Sequence, residues 1–195
     1  TAGGPTTFCT GGSVTLTSTA GNSYLWSNGA TTQSINVTTA GSYTVQVTNA
    51  SSCQSAVSLA TTVTVNALPT TPTITAGGPT TFCAGGSVTL TSSAGNSYLW
   101  SNGATTQSIN VTTAGSYTVQ VTNPAACQSA ASAPTTVTVN ALPATPTITA
   151  GGSTTFCSGG SVTLTSSAGN SYLWSNGATT QSINVTTAGD RKSVV

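Results

Sequence analysis

SYLWSNGATTQSINVTTAGSYTVQVT, residues 97–122, is the stretch that decides the fold. Its apolar residues recur at every second position. Tyr98 and Trp100 fall on one face, as do Ile109 and Val111, and then Tyr117, Val119 and Val121. Leu99, Asn110, Thr118 and Gln120 stand between them. A period of two belongs to a strand with one buried face, whereas a helix would need 3.6. Thr, Val, Ile and Tyr also suit a pleated, half-buried surface. Asn102-Gly103 reads as a hairpin turn, because both residues tolerate positive φ.

The same alternation runs outward on both sides. Ser87-Val-Thr-Leu-Thr91 and Thr136-Val-Thr-Val-Asn140 repeat it, and Thr73-Ile-Thr75 is a short lead strand. Six or seven short strands with turns between them predict an all-β sandwich. The expected core joins Val88, Leu90, Val137 and Val139 to the residues above. Trp100 has two readings, a core side chain or an exposed platform for sugar stacking. A Trp in mid-strand beside a Tyr on the same face favours the core.

The stretch is one of three copies. Phe8-Cys9, Phe82-Cys83 and Phe156-Cys157 stand 74 residues apart, as do Trp26, Trp100 and Trp174. Residues 1–66 match 75–140 with eight differences, and 77–115 match 151–189 with two. Seventy-four residues is the size of a small domain rather than of a solenoid unit. Asn-Ala-Leu-Pro at 66–69 and 140–143, followed by a second Pro, reads as a short, semi-stiff connection. The expected domains are therefore 1–68, lacking its lead strand, 69–142, complete, and 143–189, truncated. Trp26, Trp100, Trp174, Tyr43 and Tyr117 anchor their cores.

Charge excludes whole classes of function. The chain has two basic residues, one acidic residue and no His, and the three charges adjoin at Asp190, Arg191 and Lys192. Acid–base catalysis needs a positioned proton carrier, and a Ser or Thr nucleophile needs a base beside it. Calcium and zinc need clustered carboxylates or Cys and His sets, and phosphate backbones need Lys and Arg. The expectation is no enzyme, no cofactor, no metal and no nucleic-acid partner. No apolar run reaches the 18 or so residues of a membrane span. Disorder is disfavoured by 36% hydrophobic residues in regular placement and by a net charge of +1. With no Met and no signal-like start, the chain is expected to be a fragment at its N-terminus.

Five cysteines follow the repeat. Cys9 and Cys53 are 44 apart, as are Cys83 and Cys127, and the partner of Cys157 would lie past the last residue. One bridge within each repeat is the simplest reading, Cys9–Cys53 and Cys83–Cys127, with Cys157 left unpaired by truncation. Unpaired buried thiols are the alternative. Regular Cys pairs in a small domain imply an oxidising, extracytoplasmic setting.

Gly-Gly-Ser-Val-Thr-Leu-Thr, Tyr-Leu-Trp and Ala-Gly-Ser-Tyr-Thr-Val resemble strands B, C and F of an immunoglobulin-like domain, with Tyr117 at the tyrosine-corner position. The usual inter-sheet cysteines would fall near Ser92 and Val119, so the cysteines here are expected to staple one end of the sandwich. The fuller set Phe-Cys-x-Gly-Gly-Ser-Val-Thr-Leu, Tyr-Leu-Trp-Ser-Asn-Gly-Ala-Thr-Thr-Gln-Ser-Ile and Asn-x-x-x-Cys is similar to bacterial immunoglobulin-like repeats of large secreted surface proteins of Bacteroidota. That resemblance covers residues 1–189. It implies export, by a type IX route with a sorting domain elsewhere, and an extracellular, cell-surface location.

The expected role is structural, a stalk or adhesin shaft whose partners are neighbouring repeats. A glycan- or protein-binding module is the alternative, with Asn102, Thr105 and Gln107 as candidate contacts. Ice binding by outward Thr arrays comes third. The Asn-x-Ser/Thr triplets at Asn36, Asn49, Asn110 and Asn184 arise by chance in Thr-rich sequence. Asp-Arg-Lys-Ser-Val-Val at 190–195 breaks the repeat and looks like a translated sequencing-adapter read. It is expected to be a non-native tail, leaving the third repeat without its last two strands.

Overall fold

The computed structural model describes residues 1–187, together with the backbone of Ser193 and Val194. Strands are its only regular elements among the described residues, and the chain is a set of β-sandwiches. The first repeat holds β1 (Thr7–Cys9), β2 (Val14–Thr17), β3 (Ser23–Trp26), β4 (Ser34–Val37), β5 (Gly41–Tyr43), β6 (Val45–Thr48) and β7 (Thr61–Asn66). The second holds β8 (Ile74–Ala76), β9 (Thr81–Cys83), β10 (Val88–Ser92), β11 (Ser97–Trp100), β12 (Ser108–Val111), β13 (Gly115–Tyr117), β14 (Val119–Thr122) and β15 (Thr135–Asn140). The third holds β16 (Ile148–Ala150), β17 (Val162–Ser166), β18 (Leu173–Trp174), β19 (Ser182–Val185) and β20 (Ser193–Val194).

In the second repeat one sheet has the order β8-β10-β12, all antiparallel. The opposite layer is built from two ladders, β9-β15-β13 and β11-β14. Strand alternation fills the space between the layers. Val88, Leu90, Trp100, Ile109, Val111, Tyr117, Val119 and Val137 form one buried cluster, with Tyr98 and Val139 half-buried against it. The other repeats have their own clusters, around Trp26 and around Trp174. Each sandwich therefore buries its own apolar face, which makes the 74-residue unit the unit of core packing.

Several local readings change once pairing is known. The Asn102-Gly103 turn forms, with Gly103 at φ +85° and Trp100 N donating to Ala104 O. It does not make a hairpin: β11 pairs with β14 and β12 with β10, so the turn carries the chain from one layer to the other. The single strand expected over 116–122 is divided at Thr118. Its first part pairs with β15 and its second with β11. Past the division, buried Ser129 and Ser132 replace a neighbouring strand. Their N–H groups donate to Val121 O and Val119 O, and their hydroxyls accept from Val121 N and Val119 N at 3.1 Å. Ser55 and Ser58 do the same for Val47 and Val45. An otherwise open edge is thereby closed by side chains.

The lead strand of the first repeat is reduced to the Ala2↔Leu16 bridge, the counterpart of Ala76↔Leu90. In the third repeat β20 pairs with β18, Trp174 opposite Ser193, where the second repeat has Trp100 opposite Val119. The expectation that both final strands would be missing is corrected to this extent. Residues 188–192 and 195 lie outside the described residues, and with them most of the expected non-native tail.

Compactness groups the chain as Thr1–Val139 and Asn140–Val195. The expected boundary near 69 thus falls inside one compact unit. The reason is a set of contacts that cross it, described next.

Candidate functional site

The crossing begins at a strand too short to stand out in the sequence. Thr7–Cys9 lies parallel to β7, with Cys9 opposite Asn66. Thr10 N and Thr10 Oγ1 both donate to Asn66 O, at 2.9 and 3.1 Å, and Gly12 N donates to Cys9 O to close the turn. Cys9 is thereby held beside the last residue of β7, where the chain leaves the first repeat.

The other half is a loop after β14. Asn123 Oδ1 accepts from Ala125 N and Cys127 N at 3.1 and 3.0 Å, and Asn123 N donates to Cys127 O. Ala126 sits at φ +59° to complete the loop. The nitrogen of the same amide reaches across the repeats: Nδ2 donates to Ala67 O at 2.9 Å. Cys127 is wholly buried, 4.0 Å from Asn66 O. Cys9 and Cys127 are disulfide-bonded, with Cα atoms 5.6 Å apart at a sequence separation of 118.

This overturns the Cys9–Cys53 and Cys83–Cys127 pairing. Cys53, Cys83 and Cys157 are free and exposed. The physical reason is strand direction. β1 and β7 run parallel and end together at Cys9 and Asn66, while β5 runs against β7 and the chain continues from it into β6. Gly41 faces Val63, so the chain moves away from Asn66 as it proceeds to Thr48, and Thr48 bridges Gln54 at the far end. Cys9 and Cys53 are thus separated by about ten residues of strand, about 30 Å at the usual rise. A bridge needs Cα atoms within about 7 Å. The staple therefore joins the trailing end of one sandwich to the leading end of the next.

Beside the bridge, Pro69, Thr70, Gly95, Asn96, Asn123 and Pro124 line a shallow groove of about 360 Å³. The compact unit 140–195 has its own, of about 590 Å³, lined by the corresponding Pro143, Ala144, Gly169 and Asn170. Both grooves lie between the Pro-bearing connection and the turn that precedes the Tyr-Leu-Trp strand.

The aromatic anchors are interior. Trp26, Trp100 and Trp174 are 5%, 2% and 1% exposed, and each indole N–H donates to a backbone carbonyl, of Thr32, Thr106 and Thr180, at 2.8 Å. Tyr43 and Tyr117 are buried, and their hydroxyls donate to Thr39 O and Thr113 O, four residues upstream. The candidate glycan contacts do not converge. Asn102 Oδ1 accepts from Ala104 N, Gln107 Nε2 donates to Ser92 O, and Thr105 is exposed on the loop between them. Asn49, one of the chance triplets, is occupied in holding the Cys53 loop. Among the described residues no three His, Cys, Asp or Glu side chains come together, and no helix is long and apolar enough to cross a membrane.

No protein-family model matches the chain, and no curated protein matches it. A solved structure from a study of host cell surface retention by a 1.5-MDa bacterial ice-binding adhesin is 18% identical, covering 93% of this chain and 83% of that one, at a TM-score of 0.34. A superposition that loose carries no argument about function.

Proposed function

We propose that the chain is a segment of a shaft, an array of immunoglobulin-like sandwiches that spaces another domain away from a bacterial cell surface and performs no catalysis. One observation carries this reading. Consecutive, nearly identical repeats are locked end to end by a disulfide, a side-chain hydrogen bond and a short Pro-bearing connection, within one compact unit. The strand order supports the immunoglobulin-like assignment: β8-β10-β12 occupies the A-B-E positions, and β11, β14 and β15 those of C, F and G. A bridge of this kind fits an oxidising, extracellular setting. A sequence without charged side chains up to residue 189 suits a spacer that is not steered toward any partner. The binding-module reading loses support, because Asn102 and Gln107 spend their amides on local backbone and the Trp side chains are interior.

Pulling the chain by its two ends in a force spectrometer tests the shaft. Discrete unfolding events are expected. With the bridge intact, the chain between Cys9 and Cys127, a sequence separation of 118, is out of the force path, and reductant should release about 400 Å of further extension. Smooth extension without events would refute the shaft, and saturable binding of a defined oligosaccharide to the folded chain would favour the module.

A further inference from the structure

The three free thiols share the loop or turn hydrogen bonds of the two bonded ones. In the Cys53 loop, Asn49 Oδ1 accepts from Ser51 N and Cys53 N at 2.9 and 3.0 Å, Asn49 N donates to Cys53 O, and Ser52 takes φ +60°. The bonded Cys127 loop repeats this with Asn123 and Ala126, although three of its residues differ. At the other type of position, Gly86 N donates to Cys83 O and Gly160 N to Cys157 O at 2.9 Å, as Gly12 N does to Cys9 O. Gly11, Gly85 and Gly159 share the same positive φ, between 88° and 95°. Cys53 and Cys83 are therefore set in their bonding shape without a partner; Cys157 shares the turn that follows Cys9 but lies outside any strand. What separates bonded Cys127 from free Cys53 is the cover: Asn66 and Ala67 of the preceding repeat lie over the former.

We propose that Cys53, Cys83 and Cys157 are unfilled halves of the Cys9–Cys127 staple, and that their partner is another repeat of the same kind carrying the complementary cysteine. The linkage has a direction. A Phe-Cys thiol (Cys83 or Cys157) bonds a loop thiol of the Cys53 type, and like does not bond like. In an assembly of separate copies, Cys53 of one chain joins Cys83 or Cys157 of another, head to tail, an open-ended geometry. The chemistry is disulfide exchange with a small oxidised disulfide such as oxidised glutathione. One protein thiolate attacks it and expels a glutathione thiolate, and the second protein thiolate then displaces the other glutathione. Two protein thiols lose two electrons and two protons, which end on two reduced glutathiones. This deepens the shaft reading by naming what the sandwich ends bind, and its test does not rely on force.

The test is oxidation of the whole chain, at high concentration, in a glutathione buffer, followed by non-reducing electrophoresis and peptide mapping. Cys9–Cys127 is expected within every monomer, and a ladder of oligomers linked only through Cys53–Cys83 and Cys53–Cys157. Cys53→Ser, at an exposed position, should melt like the parent and lose the whole ladder. Cys83→Ser should keep the Cys157 route. Cys53–Cys53 or Cys83–Cys157 links in comparable amount, a ladder that survives Cys53→Ser, or no ladder at all would overturn the proposal. A map showing Cys9–Cys53 would overturn its premise. None of these results bears on the pulling experiment, which judges the shaft separately.

Discussion

Trp100→Ala is the sharpest test of how a repeat is held together. The indole is 2% exposed at the centre of the second core, between Val88, Leu90, Ile109 and Val111 on one layer and Tyr117, Val119 and Val137 on the other. A Trp side chain buries about 150–250 Å². At about 25 cal/mol per Å² that is about 4–6 kcal/mol of transfer free energy. Large-to-small changes of this kind cost about 3–5 kcal/mol. The indole N–H also donates to Thr106 O at 2.8 Å, and that bond is worth about 1 kcal/mol net. A domain of this size has a total stability of about 4–11 kcal/mol. Trp100→Ala should therefore remove most of it and lower the melting midpoint of the second repeat by about 12–40 °C. Trp100→Phe keeps most of the apolar contact and loses the hydrogen bond, so it should cost about 1–2 kcal/mol. The assay is thermal unfolding followed by circular dichroism, with Trp26 and Trp174 as the fluorescent reporters that remain. Equal losses in the two variants, or a loss below about 1 kcal/mol for the Ala variant, would refute the placement of the indole in the core.

Three further outcomes are expected. Tyr117→Phe removes the hydroxyl bonded to Thr113 O and Thr113 Oγ1 at 3.1 and 2.9 Å, and denaturant titration should show a loss of about 1 kcal/mol with an unchanged m-value. Ser92 Oγ is buried without a hydrogen-bond partner, so Ser92→Ala should be neutral or stabilise by up to about 1 kcal/mol; a clear destabilisation would mean that the hydroxyl has a partner. Gly103→Ala puts a Cβ into open space but at φ +85°, so its cost of about 1–2 kcal/mol is purely conformational, and calorimetry should show no change in the heat capacity of unfolding.

Much of this molecule follows from local pattern. Alternation at period two places Val88, Leu90, Trp100, Ile109, Val111 and Val119 on interior faces before any strand is paired, because successive side chains of a strand point to opposite sides. The 74-residue spacing marks the repeats, and the alternation that includes Tyr117 puts that ring in the core. Pairing is another matter. Strand β9, three residues long, has no periodic signal, and only its place beside β15 shows what it does. Ser129 and Ser132 read as loop residues, yet they finish an edge, since a hydroxyl can stand in for a carbonyl wherever the fold brings the chain past. The cysteines show the limit most clearly. A spacing of 44 residues is the same number whether two thiols share one end of a sandwich or sit at opposite ends. Strand direction decides between those, and strand direction is set by contacts between residues distant in sequence. The sequence by itself determined which faces are buried and how long each repeat is. Only the tertiary structure decided which ends meet, and so which sulfur each cysteine finds.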